Sequence, residues 1–324
     1  MVNPADPVIF LDLLIFVLRI TVVGVAILTL AGFFGQYGHL FDICDHFRGQ
    51  YLVLLVVCII GFLSLREWIW SGAALVFFGL NFVVLSPIFL RPEGWKRGEA
   101  KYRLFMANIL RANRSYQLFN DVIRIEQPDL IALVEPDQPW LDALSMIRYD
   151  YPYWHTAARK DNYGLAILSK HPIRNAETVV LTEKGIPTLI ADIEIGNQKV
   201  RFLLTHPPPP KNTIDTYLRD QQMERLAYLT GIHNGSTIVC GDFNATPWSK
   251  AFRKMTNSGK LVDSSRGFGY QGTWPVNHTL LRVPIDHCLV SSDIVIVDRK
   301  IGPPVGSDHF PLIIDFRIDS GKFK

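Results

Sequence analysis

Eight polar residues follow apolar, strand-like runs of this 324-residue sequence. All can hold a cation or a phosphate: Asn108, Glu135, His206, Asp242, Asn244, Asp286, Asp308 and His309. Rigid scaffolds commonly present catalytic groups at strand ends and in the loops that follow them. If these strand ends converge, the eight residues form one site. Taken singly, each has a simpler interpretation, because an Asp or Asn after a strand is usually a turn residue that bonds its own backbone.

The segment VCGDFNATPWS at 239–249 shows the most informative spacing. Asp242 and Asn244 are two positions apart, so an extended backbone would direct both side chains to one side. Phe243 would then turn the other way, into the core. We therefore expect Asp242 and Asn244 to face a phosphate together.

Short apolar runs separated by Gly, Pro and Asn turns predict the elements that carry these residues. The predicted strands lie at 102–108, 130–135, 164–168, 188–195, 200–205, 237–240, 285–290 and 311–316, and the predicted helices at 115–126 and about 213–230. Many short strands with a few interspersed helices favour sheets packed face to face with helices outside. We expect a four-layered α/β sandwich, in which two packed mixed sheets are flanked by helices.

The first ninety residues have a different composition from the rest. Segment 13–34 carries Arg19 as its only charge, segment 68–90 carries none, and the shorter segment 51–65 is also uncharged. The first two are long enough to cross a bilayer as helices, and the third is a candidate third span. A cleaved signal peptide is disfavoured because 1–6 contains no Lys or Arg. We predict a membrane anchor with about three transmembrane helices at 1–90, a linker at 91–100 and a catalytic domain at 101–324.

Basic residues near the spans favour one orientation of this anchor. With three spans, Arg48, Arg91, Lys96 and Arg97 would share a side with the large domain, and Arg66 would lie opposite. Because basic residues mark the cytoplasmic side, a multi-pass protein of the plasma (inner) membrane with a cytoplasmic catalytic domain is expected. The orientation would change if 51–65 did not span, so the opposite orientation stays open.

Overall charge and cysteine content exclude little. The formal net charge of +3 comes from 33 basic and 30 acidic residues, too small an excess to indicate a nucleic-acid-binding surface. The four cysteines show no CxxC spacing, so reduced, structural cysteines are expected. Cys240 and Cys288 could pair only if the fold brought them together.

The order of motifs resembles the endonuclease/exonuclease/phosphatase superfamily, which includes DNase I-like nucleases, neutral sphingomyelinases and inositol polyphosphate 5-phosphatases. The matching pieces are Asn108 in MANIL, Glu135 in PDLIALVE, GLAILS at 164–169, His206 in LLTHP, GDFNATP at 241–247, GTWP at 272–275, PIDHCLVS at 284–291 and GSDHFPLI at 306–313. GDFN and SDHFP are the most specific. The resemblance covers roughly 102–316 and none of the apolar N-terminal segments.

This resemblance implies a metal site. Glu135 would be the principal ligand, with Asn108 beside it and Asp308 approaching the same ion or a second one. Mg²⁺ suits such oxygen ligands, with Mn²⁺ as the alternative. Leu110 stands where several nucleases of the superfamily have an acidic residue, which argues against a second metal near Asn108. Asn113 is a candidate replacement contact.

The same resemblance implies the catalytic roles. Asp242 would position or deprotonate the attacking water, and Asn244 would bond a phosphate oxygen. His309 would contact the phosphate, with Asp286 orienting its imidazole. His206 would be either a phosphate contact or the acid near the leaving oxygen.

The preferred hypothesis is a membrane-anchored, Mg²⁺-dependent phosphoesterase whose partners are the lipid bilayer and a lipid phosphate or isoprenoid pyrophosphate. The first alternative is a tethered nuclease that binds nucleic acid in a basic, aromatic groove. Its candidate residues are Arg111, Arg114, Arg148, Arg159, Lys160 and Trp274. The second alternative is a catalytically silent membrane receptor or scaffold, which should have lost some of the ligands that this sequence retains.

Overall fold

The computed structural model describes residues 7–95 and 98–319 of the chain. The chain divides into two compact units at Pro87 and Ile88. Residues 1–6, whose composition argues against a signal peptide, lie outside the described part. Lys96 and Arg97, which entered the prediction of orientation, also lie outside it.

The first unit is helical. It contains α1 (Pro7–Gly32), α2 (His39–His46), α3 (Arg48–Ser64) and α4 (Trp68–Leu85). Val8–Gly32, with 25 residues, and Trp68–Phe89, with 22, are long and apolar enough to cross a membrane. A third span would have to combine α2 and α3, which are bent by 58° relative to each other. The short segment expected at 51–65 is therefore the apolar part of a longer, bent helix pair.

The segment between the predicted spans 13–34 and 51–65 is largely helical. Arg48, which lies in this segment, is buried rather than exposed. Its guanidinium is 1% exposed and donates to Asp45 and, over 3.0 Å, to Oδ1 of Asn81. The Asn81 amide donates to the Thr29 hydroxyl over 2.9 Å. Arg48 thus joins three helices from inside, so its contribution to the predicted orientation is weaker than that of an exposed arginine.

The second unit contains twelve strands in two six-stranded sheets. They are β1 (Tyr102–Asn108), β2 (Leu130–Val134), β3 (Tyr153–Ala157), β4 (Leu165–Ser169), β5 (Ile173–Val180), β6 (Pro187–Ile195), β7 (Gln198–Thr205), β8 (Ser236–Asp242), β9 (Val262–Asp263), β10 (Asp286–Val290), β11 (Ile294–Ile301) and β12 (Leu312–Ile318). The first sheet has the order β11-β12-β1-β2-β4-β3 and the second β5-β6-β7-β8-β10-β9. Both are mixed, since β1 and β2, and likewise β7 and β8, run parallel.

Four helices complete this unit: α5 (Tyr116–Glu126), α6 (Gln138–Leu144), α7 (Thr213–Gly231) and α8 (Lys250–Ser258). Apolar residues of both sheets form one cluster between them, and two further clusters lie beneath α5 and α6 and beneath α7 and α8. β1 illustrates how one strand contributes to two of these three clusters, because its alternate side chains point to opposite faces of the sheet. Leu104 and Met106 join the inner cluster, whereas Phe105 and Ala107 join the cluster beneath α5. The predicted α/β sandwich is confirmed.

Every predicted strand and both predicted helices are present; β1 has the predicted boundaries, and the boundaries of the others differ by at most two residues. The strands β3, β5, β9 and β11 and the short helices α6 and α8 were not predicted. Cys240 and Cys288 are register partners on β8 and β10, and both are buried free thiols, as expected for structural cysteines.

Candidate active site

The pleat of four strands brings polar residues to one end of the space between the sheets. In β1, β7, β8 and β10 the inward residues are apolar, for example Met106, Leu204, Cys240 and Cys288. Side chains two positions apart on a strand share a face. The inward face therefore continues into four polar residues: Asn108, His206, Asp242 and Asp286. All four are buried.

Strand direction explains why these four ends meet. Asn108 ends β1, Asp242 ends β8, and His206 directly follows β7, which runs parallel to β8. β10 is antiparallel to β8, so its first residue, Asp286, lies opposite the last residue of β8, Asp242. Asp286 thus joins the other three residues because β10 begins where β8 ends.

Asp242 is the centre of the contacts. Its Oδ2 atom accepts from Nδ2 of Asn108 over 3.1 Å and lies 3.5 Å from Nε2 of His206 and 3.7 Å from Nε2 of His309. Its Oδ1 atom accepts from the backbone N–H of Asn244 over 2.9 Å. The four groups that contact this carboxylate are therefore either donors or able to become donors.

The electrostatics of Asp242 reflect burial beside a like charge. Burial and the nearby Asp286 raise the pKa of Asp242 to about 6, although His309 and His206 act in the opposite direction. A carboxyl with such a pKa can accept a proton near neutral pH, as a general base must.

His309 has the complementary environment. Its Nδ1 atom donates to Oδ2 of Asp286 over 2.8 Å, because an ionised carboxylate can only accept. Burial alone would lower the pKa of His309, but the carboxylates of Asp286 and Asp242 raise it to about 10. At neutral pH the imidazole is consequently a buried cation held between two carboxylates.

Glu135 lies next to Asn108 at the other side of the pocket. Its Oε1 atom accepts from Nδ2 of Asn108 over 3.1 Å, and its Oε2 atom accepts from the backbone N–H of Arg111 over 3.2 Å. Glu135 has a left-handed backbone, with φ 69°, so it departs from the straight path of β2. Its own N–H donates to the carbonyl of Gly164 over 2.8 Å, which fixes this departure.

Asn244 differs from its expected geometry. Its φ of 49° places it in the left-handed region, so the segment after Asp242 is not extended. Phe243 does turn into the core beneath α7 and α8. Nδ2 of Asn244 donates to the carbonyl of Pro207 over 3.0 Å, and the side chain is half-buried.

Asp308 lies at the edge of the group rather than within its network. Its Oδ2 atom accepts from Nε1 of Trp274 over 3.0 Å, and the Trp274 ring lies 6.2 Å from the His309 ring. Among residues 7–95 and 98–319, no hydrogen bond joins Asp308 to Asn108 or Glu135. The structure thus connects seven of the eight candidates directly and places Asp308 beside His309.

Two residues that sequence reasoning did not assign to the site support it. The carbonyl of Asn162 accepts from Nδ1 of His206 over 2.9 Å, and the Ser307 hydroxyl donates to the carbonyl of Asn108 over 2.7 Å. Asn162 contacts His206 through its main-chain carbonyl, so the residue type at this position does not indicate the contact in the sequence. Asn113, the candidate replacement contact, instead donates to the carbonyls of Ile109 and Val305, which makes it a loop-bracing residue.

The donor set fits a hard divalent cation. Ligand atoms of Asp242, Asp286 and His309 lie within 4.8 Å of one another, but the His309 imidazolium has no free nitrogen lone pair, so the two carboxylates are the atoms of this group that could bind a cation. The Oδ1 atoms of Asp286 and Asp308 are buried without a hydrogen-bond partner in the described part of the chain, a state that a cation would relieve. Oxygen ligands predominate and no thiol takes part, as Mg²⁺ or Mn²⁺ would require.

A buried carboxylate, a buried imidazolium and unsatisfied carboxylate oxygens thus lie together at strand ends of a two-sheet sandwich. The sequence model of the Endonuclease/Exonuclease/phosphatase family matches residues 104–309. The chain belongs to this family, whose members are metal-dependent phosphoesterases or nucleases.

Three solved structures share the fold. An endonuclease/exonuclease/phosphatase from Beutenbergia cavernae DSM 12333 is 16% identical with a TM-score of 0.57, covering 68% of this chain and 72% of that one. D. rerio TDP2 complexed with single strand DNA product is 17% identical with a TM-score of 0.57, covering 68% and 100%. The human Nocturnin catalytic domain with bound sulfate anion is 19% identical with a TM-score of 0.55, covering 72% and 98%. No curated protein matches the sequence.

Proposed function

We propose that this protein is a membrane-anchored, Mg²⁺-dependent phosphoesterase that hydrolyses a phosphate ester or pyrophosphate bond of a lipid-linked substrate. The observation that carries the hydrolytic part is the contact set of Asp242. One buried carboxylate with a pKa of about 6 contacts Asn108, His206 and His309. Such a group can hold and deprotonate a water next to donors that suit phosphate oxygens.

In this proposal each side chain has one role. Asp242 positions the attacking water and accepts its proton. His309, held by Asp286, and Asn244 bind the phosphate oxygens, and His206 serves the leaving oxygen. Glu135, Asn108 and Asp308 would hold Mg²⁺, which when bound stabilises the charge that grows on the phosphate and on the leaving group.

The membrane part of the proposal rests on the helical unit. Its two long apolar helices support an anchor at 1–90, followed by a linker at 91–100 and a catalytic domain at 101–324. An enzyme tethered in this way meets lipid substrates at high local concentration. A plasma-membrane location with a cytoplasmic catalytic domain belongs to the same proposal.

The test is phosphate release by purified, detergent-solubilised protein with Mg²⁺ or with EDTA. The substrates are lipid phosphates, isoprenoid diphosphates, inositol phosphates, DNA and RNA. Asp242→Asn is the inactive control, and Asp150→Asn, an exposed aspartate outside the contact set of Asp242, is the matched control. Metal-dependent release from lipid substrates is expected, and release that persists in Asp242→Asn would contradict the proposed base.

A tethered nuclease is the second candidate. The observation in its favour is that D. rerio TDP2, which shares the fold, is complexed with a single strand DNA product. Three arginines of the expected groove are already engaged, since Arg114 pairs with Asp137, Arg159 pairs with Asp161 and Arg148 covers the Trp154 ring. Cleavage of DNA or RNA alone in the same assay would favour this candidate, and silence on every substrate would favour a scaffold.

A further inference from the structure

Arg111 lies in the loop that follows β1, next to the Glu135 carboxylate. Its backbone N–H donates to Oε2 of Glu135 over 3.2 Å, and its Nε atom donates to Oδ1 of Asn162 over 3.0 Å. Within the described residues it has no ion pair. Three other cations of this unit differ in this respect, because each is paired with a carboxylate: Arg114 with Asp137, Arg159 with Asp161, and Lys184 with Asp215.

Asn162 connects Arg111 to the catalytic group. Its side-chain oxygen receives the Arg111 Nε–H, and its carbonyl receives the His206 Nδ1–H over 2.9 Å. The loop that carries Asn162 packs tightly on the Glu135 segment, since a Cβ atom at Gly164 would lie 1.9 Å from the carbonyl oxygen of Pro136. The position of the Arg111 guanidinium is therefore built into the same scaffold that holds Glu135 and His206.

Hydrogen-bonding capacity indicates what Arg111 would bind. One of its five N–H donors is used on Asn162, which leaves the two terminal nitrogens, Nη1 and Nη2, as a planar fork. Such a fork matches two oxygens of one phosphate. Its bidentate geometry makes it more specific for phosphate than a lysine ammonium is. The Nδ2 group of Asn162 is an additional donor beside it, because its Oδ1 partner fixes the orientation of the amide.

We propose that Arg111 and the Asn162 amide form a subsite for a second phosphate, so that the substrate is a diphosphate rather than a monophosphate ester. This inference rests on the function proposed above and deepens it. The Arg111 guanidinium bonds to Asn162, whose carbonyl holds the His206 ring, so the second phosphate would lie next to the scissile one. Two phosphates joined by a bridging oxygen meet this condition, whereas successive phosphates of a nucleic acid strand are separated by a sugar.

The reaction then proceeds at the terminal phosphorus. The oxygen of water forms a new P–O bond, and the bond from this phosphorus to the bridging oxygen breaks, with its electron pair remaining on the bridging oxygen. Asp242 takes one proton from water, and one proton is returned to the products. One diphosphate and one water therefore yield orthophosphate and the monophosphate of the lipid tail, which leaves from the Arg111 subsite.

The first test compares Arg111→Gln with Arg159→Gln in the full-length protein. Arg159 lies in the loop that carries Asn162, and its guanidinium is already paired with Asp161. The measured quantity is kcat/KM for an isoprenyl diphosphate divided by kcat/KM for the monophosphate of the same tail. Loss of a charged, bidentate contact should lower this ratio about 10- to 100-fold in Arg111→Gln. Arg159→Gln should keep it within about twofold, and Arg111→Lys should be intermediate.

An equal loss on both substrates in Arg111→Gln, or a wild-type ratio near one, would overturn the second-phosphate subsite. The proposed phosphoesterase function would survive either result. Metal-dependent cleavage of single-stranded DNA that needs Arg111, without diphosphate hydrolysis, would also overturn the diphosphate assignment.

A binding measurement separates this inference from failure of the proposed activity. Calorimetry should show methylenediphosphonate binding more tightly than orthophosphate to the wild type and to Arg159→Gln. Arg111→Gln, verified as folded by circular dichroism, should lose most of that difference. Equal affinities for the two ligands in the wild type would refute the subsite even if no substrate were hydrolysed.

Discussion

The two units of the chain differ in where large apolar side chains are exposed and in which polar groups are buried. In the sandwich the large aliphatic side chains fill the interior, and polar residues at the ends of β1, β7, β8 and β10 are buried together. In the helical unit, large apolar side chains face outward, with Ile69 87% exposed, while Arg48, Asp45 and Asn81 are buried together. Both units thus have a buried apolar cluster, but in the helical unit an apolar exterior also surrounds a buried polar group.

This difference shows that the surroundings of a unit determine which side chains can lie on its surface. Water favours burial of apolar surface, whereas a hydrocarbon environment makes an apolar exterior acceptable and requires polar side chains to satisfy one another inside. The proposed anchor accounts for the helical unit in these terms. Buried charge therefore has different expected roles in the two units, chemistry in the sandwich and helix association in the anchor.

The sharpest way to break this comparison is Asp242→Asn. Phosphate release should fall about 10³-fold, because the variant lacks the base that accepts the proton of water. The melting temperature should not fall, since the variant also removes a buried charge that is repelled by Asp286. Release and thermal unfolding are measured on the same preparation. A large loss of stability would show that Asp242 is mainly structural.

Arg48→Met tests the buried charge of the helical unit. Removing the guanidinium leaves the Asp45 carboxylate without its cation, which should destabilise the unit by about 3–5 kcal/mol. The measurement is the yield and thermal stability of the full-length protein in detergent, with the exposed Arg66→Lys as control. An Asp45→Leu/Arg48→Met double variant should recover much of the loss. Equal behaviour of single and double variants would contradict a buried ion pair.

Asp192 offers a charge in the sandwich that serves structure instead of chemistry. It accepts from Lys199, Arg201 and Asn175. Burial alone would raise the pKa of Asp192, but these hydrogen bonds lower it from 3.8 to about 2. The stabilisation is therefore present above about pH 4 and is lost as the pH falls towards 2.

Asp192→Asn should consequently reduce the free energy of unfolding by about 1–2 kcal/mol at pH 7. Denaturant unfolding at pH 7, 4 and 3 should show the difference from the wild type shrinking at the lowest pH. The exposed Glu177→Gln should have little effect. A difference that stays constant with pH would rule out the ion pairs as its cause.

The smallest effect is expected at the exposed pair of Lys254 with Glu224, which lie 2.8 Å apart between α8 and α7. Glu224→Gln should change the free energy of unfolding by less than about 0.5 kcal/mol, because solvent screens exposed pairs. Chemical denaturation at low and high salt measures this directly. A larger change would mean that this exposed ion pair contributes more to the free energy of unfolding than solvent screening allows.

The sequence indicated strands wherever both faces are buried. β2, reading LIALV, is a continuous apolar run, and β8, reading STIVCGD, has an apolar centre. β5, an edge strand reading IRNAETVV, exposes most of its side chains, and β9 has two residues. α8, reading KAFRKMTNS, buries only Phe252 and Met255. Such elements form because a neighbouring strand or layer supplies the partner, so their own residues carry little signal.

By itself the sequence determined the fold class, the two-part composition and the candidate residues, because hydrophobic periodicity and side-chain chemistry are local properties. Only the tertiary structure decided which strand ends meet, since pairing of β8 with β10 sets Asp286 opposite Asp242. It alone revealed the left-handed backbone of Asn244 and the main-chain contact of Asn162 with His206. Register, backbone conformation and the environment of a charge arise from contacts between residues distant along the chain, and no local pattern records them.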